Sequence, residues 1–136
     1  MYVVPVKVAK SNIDGSGVFA EANIAKNTIV WIYKDGHDIA LTPNEYNLLS
    51  TEKKDVLEKT AYLSPWSGLW VFPPDNDPAQ FTNHSPKNNL SVVYDSKVST
   101  EPYFVANKDI RSGDELTNNY HDFDKITQQT KPAWAK

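Results

Sequence analysis

Two polar runs at the ends of apolar segments carry the residue types from which binding sites are built. They are Phe81-Thr82-Asn83-His84-Ser85-Pro86-Lys87-Asn88-Asn89 and, further along, Gly113-Asp114-Glu115-Leu116-Thr117-Asn118-Asn119-Tyr120. Asn and His bring donors and acceptors to the first, and a turn-forming Gly-Asp-Glu in the second closes on a single phenol. Nearer the amino terminus, Asp14-Gly15-Ser16-Gly17 precedes an apolar Val18-Phe19-Ala20. Glycine there lets the backbone approach a ligand closely or take a positive φ, and the plain alternative is an ordinary hairpin turn. His37, His84 and His121 have no partners at recognisable metal-binding spacing, so none is read as a metal ligand.

These stretches resemble the signature motifs of the SET-domain family of protein-lysine methyltransferases, roughly Asn-His-Ser-Cys-x-Pro-Asn and Gly-Glu-Glu-Leu-Thr-(Phe/Tyr)-Asp-Tyr. Asn83, His84, Ser85 and Asn89 match the first, with Pro86 and Asn88 where the family has Cys and Pro. Gly113, Glu115, Leu116, Thr117 and Tyr120 match the second, with Asp114 a conservative replacement. Asp14 to Ala20 resembles the family's Gly-x-Gly-(Val/Leu)-Phe-Ala opening motif. The three lie in the family's order and cover most of the chain. The resemblance implies a mostly-β SET-domain (β-clip) fold: small curled sheets, a short helical insert and a knot-like active site. It also implies S-adenosylmethionine as cofactor and methyl transfer to the lysine amine of a protein or peptide substrate.

Such a transfer needs little covalent help, because a sulfonium is already a good leaving group, so positioning and electrostatics carry the rate. By resemblance, Asp14, Gly15, Ser16 and Gly17 line the methionine part of the cofactor, while Asn83 and His84 cradle it, largely through backbone contacts to the adenine. Tyr120 is the catalytic phenol, holding the amine on the reaction axis and placing partial negative charge near the sulfonium. Tyr33, Val92, Tyr94 and Asn118 are the substrate-channel candidates. Plainer readings stand beside these: His84 capping a strand end, Tyr120 half-buried where a strand stops, Tyr33 in the core or on an edge strand.

Asn118 stands where many relatives carry the Phe or Tyr that sets how many methyl groups fit, and Asn119 replaces the usual Asp. Product multiplicity is therefore open. The same departures motivate an alternative, a SET-fold binding or scaffold module that has lost turnover. A third reading is a small β-rich interaction domain whose motif matches are accidental.

With 136 residues the chain suits a single domain over 1–136, large enough to bury a core unaided. It has no cysteine, which excludes disulfides and the thiolate zinc flanks of larger relatives. The expected form is minimal and metal-free. The tail from Phe123 to Trp134, or a second copy of the chain in a homodimer, would then have to close the substrate channel. A net charge of −3 with scattered Lys and Arg argues against direct nucleic-acid binding. No leader and no apolar run of roughly 18 residues is visible, so no membrane association is expected and a cytoplasmic or otherwise intracellular location is.

Short β-branched runs must position these groups. Strands are predicted over Val3 to Val8, Gly17 to Ala20, Thr28 to Tyr33, Leu69 to Phe72, Leu90 to Tyr94, Tyr103 to Ala106 and Glu115 to Asn118. Thr42-Pro43-Asn44-Glu45 signals a capped helix start, with one or two short helices expected from Pro43 to about Lys59 and their Tyr46, Leu48, Leu49, Val56 and Leu57 packing one face onto the sheets. Five prolines between Pro65 and Pro86 predict a loop-rich bridge from Tyr62 to Asn89 around one apolar strand. The polar tail from Asp122 shows no core pattern, although Trp134 suggests it docks against something.

Overall fold

The computed structural model describes residues 1–58, 60–125 and 128. In chain order the strands are β1 (Val6–Lys10), β2 (Ser16–Ala20), β3 (Ile29–Ile32), β4 (Ile39–Leu41), β5 (Tyr62–Leu63), β6 (Trp70–Phe72), β7 (Asn83–His84), β8 (Leu90–Val93), β9 (Tyr103–Ala106) and β10 (Glu115–Asn118). Two helices, α1 (Pro43–Asn47) and α2 (Thr51–Leu57), fall between β4 and β5. The strands form three small sheets, ordered β1-β2-β10-β7, β3-β9-β8 and β4-β6-β5. Most neighbours are antiparallel, but β10 and β7 run parallel, which brings the two polar motifs side by side.

The seven expected strands are present, with ends moved by a few residues. The first is displaced most: Val3, Val4 and Pro5 lie outside it, and Tyr2 makes an isolated bridge to Trp31 instead. Strands β4, β5 and β7 were not expected, because two or three residues are too few to display an alternation. Strands β4 and β7 are held by partners distant in sequence, and β5 by the nearby β6.

The capping signal reads through directly. The Thr42 hydroxyl accepts the Glu45 N–H at 3.1 Å, and the Glu45 carboxylate accepts the Thr42 N–H at 2.9 Å. The helical insert is two short helices, within the expected form. The chain breaks after α1 and restarts at Ser50, whose hydroxyl caps the second helix through Lys53 N–H. Of the five apolar positions, Tyr46, Leu49 and Leu57 pack into one cluster with Ala61 and Phe72, and Leu48 and Val56 stay outside it. Tyr46 and Leu57 are buried, with Tyr46 stacked on Trp70 at 4.1 Å, whereas Leu48 and Val56 stand 87% and 65% exposed. The expected helix end at Lys59 lies outside the described residues.

The main core joins β2, β3, β8, β9 and β10 through Val18, Val30, Leu90, Phe104 and Leu116, all at 5% exposure or less. Phe123 completes it and corrects the expectation of a tail without core contacts. It is buried, and the rings of Tyr62, Phe104 and Tyr120 meet it edge-on at 5.2, 5.1 and 5.5 Å. Asp124 is buried as well, accepting the Leu63 N–H at 3.0 Å. One apolar residue after the phenol creates no periodicity, so its burial had no local signature. Trp134 lies outside the described residues. Phe123→Ala should cost about 3–5 kcal/mol of stability, the usual loss for a buried ring, and urea denaturation would measure it.

Candidate functional site

All three sequence motifs meet in one sheet. In β10, Glu115 and Leu116 lie opposite Phe19 and Val18 of β2, and Thr117 and Asn118 lie beside Asn83 and His84 of β7. Where these strands approach the loop between β1 and β2, Asn83 and Glu115 form a polar knot. The Asn83 amide nitrogen has four acceptors within 3.2 Å: the Glu115 carboxylate at 2.9 Å, the Ser16 carbonyl at 3.0 Å, the Ser11 hydroxyl at 3.1 Å and the Asp14 carbonyl. Ser11 donates to Glu115 in turn, at 2.7 Å. The amide thus shapes the loop by holding the carbonyls on both sides of Gly15.

The two glycines of that loop do different work. Gly15 has a φ of +46° and faces open space, while a Cβ on Gly17 would lie 2.3 Å from the Glu115 carboxylate. Gly17 therefore makes room for the knot. Gly15 makes the turn. Residues 12–16 are exposed, beside half-buried Asn83 and His84.

Asn89 clamps β10 from another direction. Its amide donates to the Glu115 carbonyl at 2.8 Å and its oxygen accepts the Thr117 N–H at 2.9 Å. Ser85 N–H donates to the Asn118 carbonyl at 2.9 Å. The first motif is thereby tied to β10 through Ser85 and Asn89 as well as through strand pairing.

Tyr120 follows directly. Its backbone N–H donates to His84 Nδ1 at 3.1 Å, which puts the proton of a neutral ring on Nε2, and the two rings meet edge-on at 5.6 Å. Its hydroxyl donates to the Thr82 carbonyl at 2.8 Å, and the Tyr2 hydroxyl shares a 2.6 Å hydrogen bond with the Thr82 side chain. Burial, then the nearby Tyr2 and Asp124, push the Tyr120 phenol well above its ordinary value, and burial does the same to Tyr2. Below these groups lies a cavity of about 60 Å³ with a largely apolar lining that includes Trp31, Tyr62, Phe104, Asn118 and Tyr120. Two of the lining residues, Asn118 and Thr60, each carry a buried side-chain oxygen, Oδ1 and Oγ1, with no hydrogen-bond partner among the described residues.

Of the residues singled out from sequence, Asp14, Gly15, Ser16, Gly17, Asn83, His84, Asn118 and Tyr120 fall in this one region. Tyr33, Val92 and Tyr94 do not line the inner cavity. Val92 pairs with Phe104 across β8 and β9, Tyr94 is 39% exposed and stacks on Trp66 at 5.4 Å, and Tyr33 lines a separate cleft. Sequence reasoning missed Tyr2, Ser11 and Thr82 and gave Asn89 and Glu115 no role. The last two carried a signal, as motif positions. Ser11 and Tyr2 had none, since their partners lie 104 and 80 residues away.

The SET-domain family model matches residues 15–121. A histone-lysine N-methyltransferase, SET9, of Gibberella zeae is 29% identical over 107 residues, a stretch that is 79% of this chain and 15% of that protein. The chain thus spans a small fraction of this curated relative's length. Among solved structures, a humanized mutant of the Chaetomium thermophilum Polycomb Repressive Complex 2 bound to the inhibitor GSK126 is similar, with a TM-score of 0.62 and 25% identity, over 92% of this chain and 16% of that one. A candidate histone methyltransferase of Plasmodium falciparum shares the fold, with a TM-score of 0.56 and 22% identity, over 84% of this chain and 90% of its own. No helix among the described residues is long and apolar enough to cross a membrane.

Two expectations follow from the geometry. Gly17→Ala should cost about 1–3 kcal/mol by driving the Glu115 carboxylate off its partners, and much less in a Glu115→Ala background, a coupling that a double-mutant cycle in urea would read. Tyr2, Tyr62 and Tyr120 all hold their protons above the ordinary phenol value. Unfolded phenols release theirs near pH 10, so above that pH the unfolded chain binds fewer protons than the folded one. Their contribution is therefore fully present below about pH 10 and falls as pH rises further, with a shallower fall in Tyr120→Phe.

Proposed function

This chain belongs to the SET-domain family, and on that footing we propose that it transfers a methyl group from S-adenosylmethionine to the side-chain amine of a lysine in a protein substrate. The observation that carries the reading is the Tyr120 hydroxyl bonded at 2.8 Å to the carbonyl of Thr82, the residue just before Asn83. A phenol fixed in one orientation at the junction of three motifs can hold an amine in line with a sulfonium, which such a transfer requires.

When bound, the cofactor supplies a methyl group on positively charged sulfur, activated for displacement. The fit to this chain rests on the loop. The open space beside Gly15, its positive φ and the exposed backbone of residues 12–16 leave room for a ligand against Asp14, Gly15, Ser16 and Gly17, with Asn83 and His84 alongside. Asn83 acts chiefly by holding the loop in shape, and His84 by fixing the backbone of Tyr120.

Tyr120 keeps its proton at neutral pH, because burial raises the phenol. It donates to Thr82 and accepts from the substrate amine, which aims the nitrogen lone pair. The apolar lining of the inner cavity disfavours an ammonium and so favours the neutral, nucleophilic amine. Asn118 Oδ1 supplies a further acceptor on that wall, for an N–H of the amine or for a water. Asn119 has a local task, since its side chain accepts the His121 N–H at 3.0 Å and caps the turn holding Tyr120.

Calorimetry should show S-adenosylmethionine binding, and labelled methyl should pass to lysine in a protein or peptide panel. Tyr120→Phe should lower kcat by about 10²–10³-fold, on the scale of losing one oriented polar group at a reacting centre, while cofactor affinity stays within a few-fold. A chain that does not bind the cofactor ends the proposal. Binding with no transfer to any acceptor would favour the scaffold reading that Asn118, Asn119 and the altered first-motif loop motivate.

A further inference from the structure

We propose that the cleft beside Tyr33 receives a cationic side chain of the protein substrate, arginine in preference to lysine, at a fixed position near the target lysine; this rests on the lysine-transfer reading above. The cleft has a volume of about 420 Å³, ample for one long side chain. Its position follows from strand alternation. On the paired strands β3 and β9, Trp31 lies opposite Phe104 and both line the inner cavity, while Ile32 lies opposite Tyr103 and both line the cleft. One pair of strands therefore has the methyl-transfer cavity on one side and the cleft on the other.

Tyr62 and Glu101 join the two spaces. Tyr62 lines the inner cavity, and its hydroxyl donates at 3.1 Å to Glu101 Oε1; Glu101 lines the cleft. Glu101 is 2% exposed, yet its Oε2 has no hydrogen-bond partner among the described residues. A carboxylate oxygen taken out of water and left unanswered is destabilising, so the cleft is built to be completed by a donor.

The remaining lining specifies the donor. Asp35 contributes a second carboxylate, no lysine or arginine is among the described residues that line the cleft, and Tyr33 and Tyr103 add aromatic surface. The neighbouring carboxylates Asp35, Asp38 and Glu101, after burial, raise the Tyr33 phenol, which is the signature of negative potential at that wall. An anion would be repelled, and an apolar side chain would leave Oε2 unsatisfied. No group of three or more acidic or histidine side chains able to hold a metal occurs among the described residues. A guanidinium meets every demand, being planar, weakly hydrated, always charged and able to stack on a phenol while donating to a carboxylate.

The test uses the whole chain and fluorescent peptides with one target lysine, in which arginine, lysine or alanine is placed in turn at each flanking position. Anisotropy titration should find one position where arginine binds about 10-fold more tightly than alanine, with lysine between them, as for a buried charge pair. The preference should shrink below about 2-fold in Glu101→Gln and in the more exposed Asp35→Asn, the latter guarding against loss of fold. Equal affinity for arginine and alanine at every position, no peptide binding at all, or a preference that survives both substitutions would overturn the proposal. Equal affinity for arginine and lysine would overturn the arginine preference alone. Binding is read without turnover, so a clear preference with no methyl transfer would sink the catalytic reading and leave the cleft. Transfer without a preference would do the reverse.

Discussion

The amide of Asn83 lies between the carboxylate of Glu115 and the carbonyls of Asp14 and Ser16, and through these contacts three stretches of chain become one surface. Hydrogen bonds to a charged acceptor are worth about 1.5–3 kcal/mol each, several times the value of a surface ion pair. The knot also has a strict spatial condition. Only a residue without a Cβ fits at position 17, because the carboxylate occupies that volume. Glycine, asparagine and glutamate thus form one geometric unit although they are spread over about a hundred residues.

Around that unit the second motif is held on several sides. Strand β2 pairs with one edge of β10, the short parallel β7 with the other, and Asn89 reaches back to the main chain at Glu115 and Thr117. Tyr120 leaves β10 already fixed, with its amide on His84 and its hydroxyl on Thr82. A phenol anchored through both backbone and side chain has little conformational freedom left, which is the preorganisation the proposed transfer would use.

The β3–β9 pair divides two unlike environments. One face looks into a largely apolar, aromatic-lined cavity, and the other into a cleft lined by Asp35 and Glu101. Tyr62 crosses between them, its ring in the first and its hydroxyl on Glu101 of the second. Alternation of side chains along a strand is sufficient to build such a partition from two pairs of neighbouring residues.

Much of this was legible in the linear chain. Three ordered motifs pointed to the family and to Gly15, Asn83, His84 and Tyr120, and β-branched runs marked seven strands, because such signals are local: a turn needs its glycine, a cap its threonine, a strand its branched residues. Burial of Phe123 and Asp124, exposure of Leu48 and Val56, the two-residue strands, and the partnership of Ser11 with Glu115 were decided only when distant segments packed. The sequence by itself determined which residues could do chemistry. The tertiary structure decided which of them share a cavity and which oxygen is left without a partner, since those depend on contacts between residues dozens of positions apart, which no local pattern encodes.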